Sequence, residues 1–192
     1  MRNLHTLVMT ACLACVTARA AGDGWQLDAP PACPGVTACR ISAPAVEWRA
    51  GAEGAVPWME GAARYARPGE PDLPLLVRVL PVPQGCEAAV ELVQIDAQET
   101  NGVAVAPVPA QEIVEADTGR QLRSAPAARS AVYGEDRLWP ASPLRVEVAD
   151  RGTQRWARVA FYPLQYNPVT GVVRWNRTVE ARLIWRPAAA GG

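Results

Sequence analysis

Proline and glycine leave this chain almost no room for a helix. Eighteen prolines and fifteen glycines are spread along 192 residues. Outside residues 86–95, no window of about a dozen residues keeps a helical period without meeting a proline. Between the breaks lie short runs that alternate apolar and polar. Leu144, Val146 and Val148 share one phase and Arg145 and Glu147 the other. Val179, Ala181, Leu183 and Trp185 share a phase opposite Glu180 and Arg182. That is the two-residue period of a strand with one face on a core. Val46–Arg49 alternates too, and Val103–Val105, Trp156–Tyr162 and Val172–Trp175 read as further short strands. Leu75–Leu80 is apolar but for Arg78 and reads as a buried strand ended by Pro81 and Pro83. Residues 86–95 contain helix-favouring Glu, Ala and Leu. Ala88, Val90 and Leu92 nevertheless alternate, and Pro83-Gln84-Gly85 before them is a turn, so a strand to about Ile95 is expected. The fold class is therefore all-β: a two-sheet antiparallel β-sandwich of jelly-roll-like kind, preceded by a signal peptide.

The N-terminus carries that signal. Arg2 precedes a short apolar core, Leu7 to Val16, and Ala18-Arg19-Ala20 fits the small-x-small cleavage rule. The apolar run is too short to anchor in a bilayer. Lipidation at Cys15 fits less well, because Cys12 stands where a leucine is usual. Cleavage near Ala20 implies a secreted or periplasmic protein without a transmembrane anchor. The expected organisation is signal peptide 1–20, irregular Cys/Pro-rich lead-in 21–45, sandwich 46–186 and flexible tail 187–192.

Two absences narrow the function. The one histidine, His5, lies in the signal, and there is no lysine. A mature chain without histidine cannot assemble a Ser-His-Asp or Cys-His pair, nor the common His-containing zinc sites. Without lysine there is no Schiff base and no phosphate-loop lysine. A carboxylate pair or a bare cysteine would remain, and no spacing points to either. The chain is read as non-catalytic, with no cofactor and no metal site. Nineteen arginines balance nineteen acids. Losing Arg2 and Arg19 with the signal leaves a slight acidic excess, so nucleic acid is not an expected partner. The protein is expected to be a monomer.

Past the signal stand Cys33, Cys39 and Cys86. Export favours a disulfide, and Pro34-Gly35 lets the short segment turn back, so Cys33–Cys39 is the expected pair. A loop that short is worth at most about 2–3 kcal/mol. Cys86 is then the odd one, read as a small buried residue. A pairing of Cys86 with Cys33 or Cys39 stays open. Ala116–Asp136, with Thr118, Gly119, Ser124, Pro126 and Gly134, reads as a long loop, either mobile or a binding element.

Three motifs, in order, carry a resemblance. Gly69-Glu70-Pro71-Asp72-Leu73-Pro74 leads into the apolar strand and then Val82-Pro83-Gln84-Gly85. Arg151-Gly152 precedes another strand. Tyr162-Pro163-Leu164-Gln165-Tyr166-Asn167-Pro168-Val169-Thr170-Gly171 follows, a strand running into a proline-first, glycine-last turn. From about Gly51 to Trp185 the chain resembles the N-terminal propeptide domain of gingipain-type cysteine peptidases of the caspase-like clan, without the catalytic domain. The family implies a β-sandwich that helps a peptidase fold and blocks its cleft, in cis or in trans, with no catalysis of its own. The implied partner is a gingipain-type cysteine peptidase. If that partner cuts after arginine, as some relatives do, Arg120, Arg123 and Arg129 in the long loop are the candidate contacts. Tyr162, Tyr166 and Trp175 read as packing residues of the hairpin. Asn176-Arg177-Thr178 matches a glycosylation sequon of high chance rate. The alternatives are a carbohydrate-binding sandwich using some of the seven tryptophans, or a structural module of a bacterial surface or secretion protein.

Overall fold

A computed structural model of the chain describes residues 24–28, 33–64, 67–116, 119–152 and 154–188. The expected signal peptide, its cleavage point and residues 189–192 of the expected tail lie outside them. Thirteen strands and one 3-10 turn make up the described regular structure.

The first sheet is built around the last strand. β13 (Val172–Pro187) runs sixteen residues. Along one edge it pairs first with β12 (Leu164–Asn167) and then with β2 (Gly35–Ser42), which carries β1 (Trp25–Leu27) outside it. Along the other edge it pairs with β7 (Cys86–Thr100). The second sheet has the order β10 (Leu144–Arg151), β11 (Gln154–Phe161), β6 (Pro74–Pro81), β5 (Ala63–Arg64). All pairings within the two sheets are antiparallel.

The core forms where the two apolar phases meet. Val179, Ala181, Leu183 and Trp185 of β13 turn inward, as their alternation requires, against Ala157, Val159 and Phe161 of β11. Leu76 and Leu144 join them. A second cluster, Met59, Leu73, Val105, Leu164, Tyr166 and Val173, fills the end nearer the Asn167–Gly171 turn. That turn is built as its residues dictate. Asn167 Oδ1 accepts the amides of Val169 and Thr170 at 3.1 and 3.3 Å. Gly171 takes φ +69° and its amide donates to the Asn167 carbonyl.

Several expectations need correcting. The irregular lead-in expected over residues 21–45 holds β1 and β2 among its described residues, and β2 is an interior strand. Its inward phase is Thr37, Cys39 and Ile41, while Val36 and Ala38 lie on the outer phase, so the alternation is masked in the sequence. Thr37 tolerates burial because its hydroxyl accepts the Trp185 indole N–H at 2.8 Å. Val172–Trp175 and Val179–Trp185 are one strand, not two. β7 runs on to Thr100, and its half from Glu91 is exposed throughout. β6 is buried on both faces only at its start, at Leu75 and Leu76; farther along, Val77 and Val79 are 36% and 54% exposed.

The disulfide joins Cys33 to Cys86, not to Cys39. The reason is the same strand β2. Six residues of mostly extended chain put Cys33 and Cys39 roughly 20 Å apart, far beyond the ~7 Å between Cα atoms that a disulfide can span. Cys33 and Cys86 have Cα atoms 6.1 Å apart. They meet because Gly35 pairs with Trp185 on one edge of β13 and Cys86 pairs with Pro187 on the other.

Candidate functional site

The segment expected as a long loop is an arm. β8 (Ala110–Ala116) and β9 (Gly119–Ala125) form an antiparallel ribbon that pairs with no other strand among the described residues. Ala131–Gly134 then make the 3-10 turn that leads to β10. Of the candidate arginines, Arg120 and Arg123 lie on β9, in register with Glu115 and Glu112. Arg123 is exposed, as is its neighbour Leu122, the most exposed large apolar side chain described, at 70%. Arg129 is placed differently. Its guanidinium lies 4.9 Å over the Tyr133 ring, and Nη2 donates to the Glu53 carbonyl at 3.5 Å. It braces the root of the arm rather than reaching outward from it.

The root is held by the turn Arg67–Asp72. Gly69 N–H donates to the Val108 carbonyl, and Val108 N–H to the Glu70 carbonyl, at 2.9 and 2.8 Å. Asp72 N–H donates to Ala106, and Ser130 N–H to Gly69, both at 2.9 Å. Both legs of the arm are thus fixed to one tight turn. Gly69 is required there: it has φ +84°, and a Cβ would run into the Ala128 carbonyl. The segment preceding the apolar strand β6 therefore positions the arm. Tyr133 adds a post, its hydroxyl donating to the Val105 carbonyl at 2.9 Å and its ring edge-on to Tyr166. Burial pushes the Tyr133 hydroxyl well above its ordinary pKa.

Two carboxylates lie inside this root. The Asp72 side chain is 3% exposed, with Oδ2 2.6 Å from Arg64 Nη1. Burial raises its pKa by more than the Arg64 charge lowers it. Glu70 is raised likewise, against the pull of Arg67. A cavity of about 330 Å³ lies beside Asp72, lined by Arg64, Pro107, Pro109 and the arm residues Ser124 and Ala125.

The remaining chemistry is muted. No group of three or more His, Cys, Asp or Glu among the described residues could hold a metal ion. Cys86 is bonded and cannot be a thiol nucleophile. Cys39 is buried and its pKa is raised to about 12, so its thiolate is scarce at neutral pH. Tyr162 and Tyr166 are buried packing residues. Asn176 is fully buried and donates to the Tyr162 carbonyl and to Gln165 Oε1, so the folded chain has no room for a glycan there. Among the tryptophans, Trp48 alone is largely exposed; the nearby Trp58 has its ring capped by the Arg49 guanidinium at 4.4 Å. The coplanar exposed aromatics of a glycan platform are missing from the described residues. No helix among them is long and apolar enough to cross a membrane.

Sequence reasoning singled out the segment that forms the arm and passed over the root residues Glu70, Asp72 and Ser130. No sequence signal marks them: they read as ordinary turn and loop residues, and only the fold reveals their burial.

Comparison with known proteins agrees with this architecture. The chain is similar to a solved complex of the pro- and mature domains of RgpB from Porphyromonas gingivalis, with 22% identity and TM-score 0.69, over 88% of this chain and 87% of that one. It is also similar to a structure bearing on the zymogenic latency of gingipain K from Porphyromonas gingivalis, with 17% identity and TM-score 0.67, over 90% of this chain and 98% of that one. At these identities the likeness concerns the fold. No curated protein matches the chain in sequence. The family model Propeptide_C25 matches residues 41–190, and with most of its length inside that match the chain belongs to the Propeptide_C25 family.

Proposed function

We propose that this protein is an exported, non-catalytic propeptide module that holds a gingipain-type cysteine peptidase inactive and assists its folding, in cis or in trans. The observation that carries this reading is the arm. A ribbon that pairs with no other strand among the described residues, rooted by four backbone hydrogen bonds in the sandwich, can enter a cleft with little loss of conformational freedom. A contact of standard size would bury about 1,600 Å² in all. Arg120 and Arg123 are the residues proposed to meet a cleft that prefers arginine, while Arg129 holds the root.

The test is an inhibition titration of a gingipain-type cysteine peptidase with the wild-type chain and the variants Arg120→Ala, Arg123→Ala and Arg129→Ala. The expected result is a loss of about tenfold or more in inhibition for Arg120→Ala or Arg123→Ala. Equal inhibition by all four proteins would overturn the assignment.

A further inference from the structure

The turn that grips the arm contains an unusual pair of acids. Glu70 keeps one carboxylate oxygen, Oε2, buried without a hydrogen-bond partner among the described residues. Arg67 stands 3.9 Å from the other oxygen, with its own side chain mostly in solvent. Across the root, Ser130 Oγ is also buried without a hydrogen-bond partner among the described residues. Ser130 is tied to the same turn, since its amide donates to the Gly69 carbonyl. Two residues on, Asp72 is sealed against Arg64 of β5. From the other elements packed here, Tyr133 presents a neutral hydroxyl, Arg129 lies over its ring, and Glu53 offers its carbonyl to Arg129.

An ionised carboxylate oxygen buried without a donor is costly, because its lost hydration is not replaced. A protonated carboxyl carries no charge, so an oxygen left without a donor costs far less in that form. We infer that the root of the arm is an acid-set latch: the turn grips both legs most firmly when Glu70 is protonated, and ionisation loosens that grip.

The direction of the raised pKa values agrees. A carboxyl with a raised pKa in the closed root binds its proton more tightly there than in an opened, hydrated root. The closed root is then fully favoured below the ordinary carboxylate range near about 4. That advantage fades as pH rises through the raised pKa. Under the function proposed above, the arm would be presented most rigidly in acid. The latch itself does not depend on that reading.

The test is amide hydrogen exchange on the chain alone, without any peptidase, near pH 4 and near pH 7, corrected for intrinsic exchange rates. The readout is the opening of the root amides of Gly69, Val108 and Ser130 relative to amides in the middle of β13. Root opening is expected to rise about threefold or more between the two pH values, with no matching rise in β13. Glu70→Gln, which cannot titrate, should remove most of the rise. Constant root opening in the wild-type chain overturns the latch even if no variant folds. So does a Glu70→Gln chain that keeps the whole rise. Failure to bind a peptidase would leave this ratio untouched, so the two readings fall separately.

Discussion

Removing Cys33 should be far more damaging than removing Cys39, and the difference can be worked from the fold. The Cys33–Cys86 bond closes a loop with a sequence separation of 53. The chain-entropy relation gives about 4 kcal/mol for a loop of that length. Cys33 is only half-buried, so Cys33→Ala removes little packing and reports mainly the cross-link. Cys39 makes no bond; it is a small core residue beside Leu27 and Ala181. Its change to Ala removes one sulfur atom and should lower stability by about 1 kcal/mol. Urea unfolding of the oxidised chain measures both values. The bond also fixes the end of β13, since Pro187 pairs with Cys86 and Ala188 N–H donates to the Gly85 carbonyl at 2.8 Å. Exchange at Trp185–Ala188 should therefore rise in Cys33→Ala and not in Cys39→Ala. If Cys39→Ala proved as destabilising as Cys33→Ala, or if a tryptic peptide linked Cys33 to Cys39, the assigned pairing and the strand argument behind it would be wrong.

Other predictions follow from individual contacts. Native alkylation at neutral pH should leave Cys39 unlabelled until urea unfolds the chain, because burial holds its pKa near 12; rapid native labelling would contradict its placement. Asn176→Ala strands the Gln165 and Tyr162 acceptors in the interior and should lower unfolding stability by about 2–3 kcal/mol; a neutral result would mean water replaces the amide. Gly69→Ala puts a Cβ against the Ala128 carbonyl at positive φ and should loosen the arm root by about 1–3 kcal/mol, seen as faster exchange at Val108 and Ser130 with β13 unchanged. Charge reversal of Glu99 or Arg174 alone should lower stability by about 0.5–1 kcal/mol, and the double swap should restore most of it; additive losses in that cycle would show that the pair does not interact.

That last pair belongs to a pattern that was legible in the sequence and went unread. The acids Glu87, Glu91, Asp96 and Glu99 and the arginines Arg186, Arg182, Arg177 and Arg174 have mirrored spacings. Glu87 faces Arg186, Glu91 faces Arg182, and Glu99 faces Arg174 in the β7–β13 ladder. Asp96 reaches Arg177 at 2.7 Å, although Arg177 is passed over by one register shift. The second shift, between Glu180 and Ala181, passes over Val93 and brings the register back. Opposite charges in antiparallel order thus encode which strands pair and how far.

The two-sheet architecture was readable because β10, β11 and the second half of β13 alternate cleanly, and the Asn167–Gly171 turn has residues that admit one geometry. β2 escaped because its buried phase includes Thr37, whose burial is licensed by Trp185, a residue far along the chain. The arm escaped because Gln111-Glu112-Ile113-Val114-Glu115 and Arg120-Gln121-Leu122-Arg123-Ser124 carry no apolar alternation. The acids at its root looked like ordinary turn residues; their character comes from elements that meet them only in the folded chain.

The most direct test of the central claim is the inhibition constant of the chain for a gingipain-type cysteine peptidase, measured with the intact arm and with β8–β9 replaced by a short glycine turn between Pro109 and Pro126. The account predicts stoichiometric inhibition by the intact chain, weakened at least about tenfold when the arm is removed. Absence of inhibition by the intact chain, or undiminished inhibition by the armless one, would contradict it.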